Sequence, residues 1–243
     1  MNSSVEKRTI RKVGLRLIPL MLICYLVNYL DRINVGFAAL HMNEDVGITA
    51  TVFGWGAGLF FISYFLCEVP SNMALHRVGA RRWIARIMIT WGIVSTCFAF
   101  VQGPMSFMLL RFLLGMAEAG FFPGMVLYIS YWFPKEYRGR LTALFMTAIP
   151  LSALIGAPLS GWLLETANFH GIASWKWMFI IEGIPALLLG FVVLGYLTDK
   201  PSEAKWLTNE EKNWLVSRLA AEKTPEHLSS FKDAFKSLNV MLM

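Results

Sequence analysis

Six long apolar runs, separated by short polar segments, make up most of the chain. A helix needs about 20 mostly apolar residues to cross the roughly 30 Å of hydrocarbon in a bilayer. The runs that meet this requirement lie at 17–40, 52–75, 83–101, 104–131, 141–164 and 177–197. The pattern therefore predicts an all-α integral membrane protein whose core is a six-transmembrane-helix bundle.

The polar ends of the chain divide it into three parts. We predict a cytoplasmic basic tail at 1–16, the transmembrane bundle at 17–197 and a cytoplasmic loop at 198–243. Within this loop, Thr208 and Glu211 have the spacing of a capping box and precede apolar residues at near-helical intervals, which predicts a short amphipathic helix. The loop ends near the point where a seventh span would begin.

Positive charge is concentrated in alternate loops. Lys and Arg are frequent in the N-terminal tail and after the second, fourth and sixth spans, and they are nearly absent from the loops between. By the positive-inside rule, both termini should be cytoplasmic, in a multi-pass protein of the inner or plasma membrane. Because the loops account for the net charge of +6, that charge does not indicate a nucleic acid partner.

Composition narrows the classes of function. Hydrophobic residues make up 56% of the chain and charged residues 16%, against roughly 25% charged residues in soluble domains. This balance argues against a soluble enzyme. The three cysteines lie in separate apolar runs without metal-binding spacing, and the sequence has no His cluster, nucleophile motif or Gly-rich phosphate loop. We therefore predict no catalytic residue, no metal and no cofactor.

Six ionisable side chains lie inside the predicted spans, where such groups are costly and usually face a cavity or a partner. They are Asp31, Arg32, Glu68, Arg111, Glu118 and Glu182. At about 1.5 Å per residue, Arg32 and Arg111 should lie at a similar depth in the bilayer. Glu118 follows Arg111 by two helical turns, so both side chains should project from one face of the fourth span.

Two arginines at one depth require partners in a dry interior. Asp31 is a candidate partner for one of them, and the pair could be a structural salt bridge that fixes helix register. Alternatively, at least one arginine binds an anionic substrate, because the guanidinium fork suits a carboxylate. Glu118 could then bind and release a proton, or serve as a hydrogen-bonded structural residue. For Glu68 and Glu182 we favour a structural role.

Residues 72–82 resemble the cytoplasmic loop signature of the major facilitator superfamily. The positions that fit are Arg77, Gly79, Arg81 and Arg82, and they would form the conformational-loop motif. The sequence departs from the family pattern at Asn72, where the signature has Gly, and at His76, where it has Asp. Residues 111–119 and 131–140 are similar to the fourth-helix motif of this superfamily and to the loop that follows it.

Residues 29–34 and 118–124 resemble a narrower group, the anion:cation symporter family, which includes carriers of galactonate, tartrate, phthalate and hydroxyphenylacetate. The resemblance covers about residues 10–200. It implies the N-terminal half of a major facilitator fold, which consists of two inverted three-helix repeats. It also implies that a small organic anion, a carboxylate or sugar acid, is carried with protons by alternating access.

The resemblance also implies roles for individual residues. Arg32 would bind the substrate carboxylate, with Tyr29 and Tyr64 beside it. Asp31 and Glu118 would be the proton-coupling residues. The role of Arg111 would be to hold the anion or to pair with one of these acids.

Carriers of this type have twelve spans, with the substrate site between two six-span halves. This chain has six, so we expect an N-terminal half, either a fragment or the product of a shortened reading frame. It could self-associate, pair with a C-terminal six-helix half, or be an inactive remnant. The alternative to a transporter is a partner-dependent membrane half without transport activity of its own.

Overall fold

The computed structural model describes residues 3–167 and 171–222, and within these ranges the regular structure is entirely helical. Six helical segments are long and apolar enough to cross a membrane, which confirms the predicted number. They are Ser4–Asp45, Ala50–Val78, Ala80–Phe100, Pro104–Trp132, Lys135–Thr166 and Ser174–Tyr196.

Nine α-helices are found in the described ranges. Two of the six spans are each divided into two helices, and a ninth helix follows the last span. The nine helices are α1 (Ser3–Asp45), α2 (Ala50–Val78), α3 (Ala80–Cys97), α4 (Pro104–Glu118), α5 (Phe121–Trp132), α6 (Lys135–Met146), α7 (Ala148–Thr166), α8 (Ser174–Tyr196) and α9 (Asn209–Ala221). Short 3₁₀ turns follow α3 at Phe98–Phe100 and α8 at Pro201–Glu203.

Near the N-terminus, helix α1 begins well before the predicted start of the first span. Residues assigned to a basic tail belong, from Ser3 onward, to the 43-residue helix α1. The end of the predicted loop, and the beginning of a seventh span, fall in 223–243, outside the described residues.

Helices α3 and α8 pack closely along each other, as do α2 with α4 and α1 with α7. Glycines permit the closest of these approaches. A Cβ added to Gly92 of α3 would lie 2.5 Å from the backbone nitrogen of Leu187 on α8, and one added to Gly183 would lie 2.9 Å from the backbone nitrogen of Thr96. Small residues at such crossings let two backbones approach within the membrane, where packing rather than hydrophobicity drives association.

The fourth span is interrupted where the sequence predicted a continuous helix at 104–131. Helix α4 ends at Glu118, and α5 begins at Phe121. Between them, Gly120 has φ of 85°, a left-handed conformation that side chains with a Cβ rarely adopt. A Cβ at this position would also lie 2.7 Å from the Cβ of Ser71 on α2. The break therefore places the Glu118 carboxyl at a helix end inside the membrane.

Helix α9 connects the beginning of α1 to the beginning of α6. At one end, the Glu211 carboxylate accepts hydrogen bonds from Lys12 Nζ at 2.9 Å and from Arg8 Nε at 3.2 Å. At the other end, Arg138 donates to the Glu222 carboxylate at 2.9 Å. Arg218 of α9 also forms an ion pair with Glu136 of α6. Ion pairs therefore attach one end of α9 to α1 and the other end to α6.

Glu211 is the centre of this attachment and should make it pH-dependent. Burial would raise the pKa of its carboxyl, but hydrogen bonds from Lys12 and Thr208 lower the pKa below its ordinary value of 4.5. A lowered pKa means that the stabilisation is present above pH 4.5 and is lost as the pH falls through the lowered value.

We therefore expect Glu211→Gln to loosen α9 at neutral pH, with amide hydrogen exchange in 209–221 accelerated roughly threefold to tenfold. The difference from wild type should shrink once acid protonates Glu211. Glu210→Gln is the matched control because the Glu210 side chain is 61% exposed and should change little. Equal exchange in wild type and Glu211→Gln at neutral pH would contradict this assignment.

Candidate functional site

Two of the predicted residues form an ion pair inside the bundle. Arg32 Nε of α1 donates to Glu118 Oε2, at the end of α4, at 2.8 Å. The Glu118 side chain is fully buried, whereas that of Arg32 is 25% exposed. The second carboxylate oxygen of Glu118 is buried and has no hydrogen-bond partner among the described residues. The pair therefore joins a fully buried carboxyl to a partly exposed guanidinium.

Aromatic rings surround the Arg32 guanidinium. Its central carbon lies 5.5 Å from the ring centre of Tyr29, 5.2 Å from that of Tyr64 and 5.6 Å from that of Phe60. These distances fall within the range of cation–π attraction. The structure thus brings both predicted tyrosines to Arg32. Phe60 was missed, although it precedes Tyr64 by four residues and so shares its face of α2.

Arg111 also lies against the ring of Phe60. Its guanidinium carbon is 4.7 Å from the Phe60 ring centre, and its Nε donates to the backbone oxygen of Gly56 at 3.2 Å. Sharing one ring places Arg111 and Arg32 close in depth. Within the described ranges no carboxylate approaches Arg111 within ion-pair distance. The buried guanidinium of Arg111 therefore contacts an aromatic ring and a backbone oxygen rather than a carboxylate.

Among the described residues Asp31 forms no ion pair with an arginine, so the structural salt bridge considered for it is not found there. Its carboxylate accepts a hydrogen bond from Trp91 Nε1 of α3 at 2.5 Å and a longer one from Asn34 Nδ2 at 3.4 Å. Adjacent residues on a helix point about 100° apart. Asp31 therefore faces α3, while Arg32 faces α2 and α4. Trp91 was also missed, because nothing local to either residue connects them.

The conformational-loop residues divide into two sets. Gly79 (φ 97°) separates α2 from α3, and Asp199 after α8 lies against it. Asp199 Oδ1 accepts from the backbone nitrogen of Arg81 at 2.8 Å, and Arg81 Nε lies 3.7 Å from Oδ2. By contrast, Arg77 and Arg82 are exposed. The sequence did not reveal Asp199, which lies more than a hundred residues from the motif.

Comparison with known proteins decides the family. A family model described as Major Facilitator Superfamily matches residues 21–243. The chain belongs to the major facilitator superfamily. The six-helix bundle described above is accordingly a major facilitator bundle, and its fold fits the N-terminal half, as predicted.

Curated relatives of this superfamily member are named as transporters. The chain is 59% identical, over 95% of its length, to a protein of Agrobacterium vitis named "Putative tartrate transporter". It is 48% identical, over 96% of its length, to the "Putative metabolite transport protein NicT" of Pseudomonas putida. It covers 53% of the first and 54% of the second, so it spans about half the length of these relatives. The names agree with the prediction that the chain is not an enzyme.

A solved structure shows the same fold at low sequence identity. The bacterial homologue of the human lysosomal transporter Spinster, in an inward-facing and unoccupied conformation, matches with a TM-score of 0.73 at 17% identity. The match covers 92% of this chain and 48% of that one. At this identity the likeness concerns the fold alone, and it confirms the predicted fold class.

Proposed function

We propose that this chain, together with a second six-helix half, imports a small organic anion across the cell membrane, coupled to protons by alternating access. The observation that carries the proposal is the ion pair between Arg32 and Glu118, in which a partly exposed guanidinium is held by a fully buried carboxylate. In such an arrangement two carboxylates can compete for the Arg32 guanidinium: that of Glu118 and that of the substrate.

Arg32 supplies the anion site. Its hydrogen bond to Glu118 uses Nε, and its side chain also interacts with that of Tyr64, so a substrate carboxylate would be bound by the terminal nitrogens of the guanidinium. The rings of Tyr29 and Tyr64 lie beside the guanidinium, and their hydroxyl groups can donate hydrogen bonds to a hydroxy acid. Arg111 adds a second positive charge beside Phe60, so the two arginines and Glu118 together carry one excess positive charge. The name of the Agrobacterium vitis relative, a tartrate transporter, supports a small carboxylate or sugar acid.

Glu118 supplies the link to protons. While Glu118 is ionised, its carboxylate holds the Arg32 guanidinium in the ion pair. A proton on Glu118 removes the negative charge of this carboxylate and weakens the ion pair. The guanidinium is then free to bind the substrate. Proton and anion binding then favour each other, and this coupling is reciprocal. Asp31 lies on the adjacent face without a cationic partner in the described ranges and provides a second protonation site.

The least buried spans indicate which surfaces of the bundle contact lipid or another protein. Helix α2 and the span formed by α6 and α7 are the least buried of the six spans. Their apolar faces would contact lipid, a C-terminal half or a second copy of the chain. With both termini in the cytoplasm, the loop motif at Gly79 and Arg81 would lie on the cytoplasmic side, where the halves close against each other.

Glu118→Gln should separate anion transport from proton coupling. Glutamine keeps the size and a hydrogen-bond acceptor for Arg32 but cannot carry a proton. We expect exchange of anion across liposomes to persist within about threefold of wild type, while accumulation driven by a pH gradient falls at least about a hundredfold. Because this chain spans half of its relatives, the assay uses it joined to the part of the Agrobacterium vitis relative that it does not match (the joined protein).

The control is Glu68→Gln, which removes a half-buried carboxyl of α2 that has no ion pair in the described structure. This variant should leave both exchange and accumulation near wild-type levels. Proton-driven accumulation that survives Glu118→Gln would exclude Glu118 as the coupling residue.

A further inference from the structure

A second polar cluster lies beyond Asp31, around Glu182 of α8. The sequence favoured a structural role for Glu182, and the structure shows that the residue is only 4% exposed. Ser160 Oγ of α7 donates to Glu182 Oε1 at 2.8 Å. The other oxygen, Oε2, is buried and accepts no hydrogen bond in the described part of the chain. Glu182 is therefore a deeply buried carboxyl with one free acceptor.

Asn34 connects this carboxyl to Asp31. It follows Asp31 by one turn of α1, donates to Asp31 Oδ1 at 3.4 Å, and its side chain also interacts with Glu182. Its own Oδ1 is buried and without a hydrogen-bond partner among the described residues. A continuous line of polar atoms thus runs from Ser160 through Glu182 and Asn34 to Asp31.

No cation balances these acids within the described residues. From α1 the titratable neighbour of Glu182 is Asp31, and the basic residues of α3 all lie in its first two turns, at Arg81, Arg82 and Arg86. Helix α7 carries one charged residue, Glu165, near its end, and α8 carries Lys176 in its first turn. Burying a bare carboxylate costs far more than burying the neutral acid. The cluster therefore favours a proton on the acids.

Glu182 lies between Asp31 and one end of the bundle. At that end, Trp175 Nε1 of α8 donates to Asp45 Oδ2 of α1 at 2.7 Å. Counting inward from this level at 1.5 Å per residue, Glu182 lies roughly 10 Å along α8 and Asp31 roughly 21 Å along α1. A proton that entered from the Asp45 end would reach Glu182 before Asp31.

We propose that Glu182 is a third proton-carrying residue, which receives protons from the Asp45 end of the bundle and transfers them to Asp31. This inference rests on the proposed function, since it extends the proton route of the same carrier. In the transfer, the O–H bond of Glu182 breaks as one forms on the Asp31 carboxylate. Glu182 is left charged until the next proton arrives from solvent. Asn34 donates to Asp31 and interacts with Glu182, and so lies between the two carboxyls.

Infrared spectroscopy tests whether Glu182 holds a proton, without requiring transport. The purified 243-residue chain in lipid nanodiscs should show the carbonyl absorption of protonated carboxyl groups at neutral pH. Glu182→Gln should remove a distinct part of this absorption, and Asp31→Asn a different part. Glu68→Gln, at a half-buried position, should remove none. An absorption unchanged by Glu182→Gln would overturn the proposal.

Transport by the joined protein provides the second test. Glu182→Gln should slow uptake driven by a pH gradient about tenfold or more while anion exchange stays within about threefold of wild type. Glu182→Asp should restore part of the proton-driven rate. Equal losses in both assays would indicate a purely structural residue and overturn the proposal. If wild-type joined protein shows no proton-coupled uptake, the proposed function fails, whereas the infrared result still decides whether Glu182 carries a proton.

Discussion

Arg32→Ala should abolish carboxylate uptake by the joined protein while the protein still reaches the membrane. The substitution removes the guanidinium that would bind the substrate and leaves the fully buried Glu118 carboxylate without its partner. Hydrogen bonds to charged groups contribute about 1.5–3 kcal/mol each, so losing two from the substrate predicts a decrease of roughly 10²–10⁴-fold in uptake. Arg32→Lys should recover little, because an ammonium lacks the planar fork that binds both carboxylate oxygens.

The measurement is uptake of labelled tartrate, with the amount of protein in the membrane determined by immunoblot. Arg140→Ala is the matched control because Arg140 is an exposed arginine of α6 that forms no ion pair within the described ranges. It should transport at the wild-type rate. Wild-type uptake by Arg32→Ala would exclude Arg32 as the substrate-binding residue.

Gly115→Ala should destabilise the bundle more than other glycine substitutions and displace the site. Gly115 lies on α4 between Arg111 and Glu118, and an added Cβ would overlap Ser63 Oγ and the backbone oxygen of Phe60. Helix α4 would have to move away from α2. Overpacking of this kind costs about 1–3 kcal/mol, which corresponds to a decrease of roughly 2–10 °C in the midpoint of thermal unfolding.

Thermal unfolding of the purified chain in detergent measures this effect. Gly58→Ala of α2 is the control, because a Cβ at Gly58 would meet nothing within 4 Å. It should unfold within about a degree of wild type. If Gly115→Ala and Gly58→Ala unfold at the same temperature, the close approach of α2 and α4 is not as described.

The spans and much of the candidate site were predictable because both depend on local spacing. Hydrocarbon thickness sets the length of an apolar run, so six runs predicted six spans, which the structure shows. Tyr29 precedes Arg32 by three positions, which places both on one helical face. The depth estimate for Arg32 and Arg111 also agrees with the structure, in which both guanidinium groups flank the Phe60 ring.

What the sequence could not supply was the direction of each side chain around its helix. Asp31 is adjacent to Arg32 in sequence, yet Glu118, 86 positions away, forms the ion pair. The same difficulty affected Glu182, since axial depth does not say whether a residue faces lipid, solvent or a neighbouring helix. Gly120 is one of 19 glycines, and nothing in its local sequence distinguishes the one that breaks a span.

If anion movement carries protons through this bundle, uptake of the anion must change the pH of the medium. Energy-depleted cells that express the joined protein receive tartrate, other dicarboxylates, sugar acids and aromatic acids in turn, while cells that express the 243-residue chain alone run in parallel. We expect the medium to become alkaline on addition of at least one small carboxylate, and Arg32→Ala and Glu118→Gln to abolish this change. Uptake of a labelled carboxylate by the joined protein with no change in medium pH would show that the anion moves without protons and would exclude the proposed coupling.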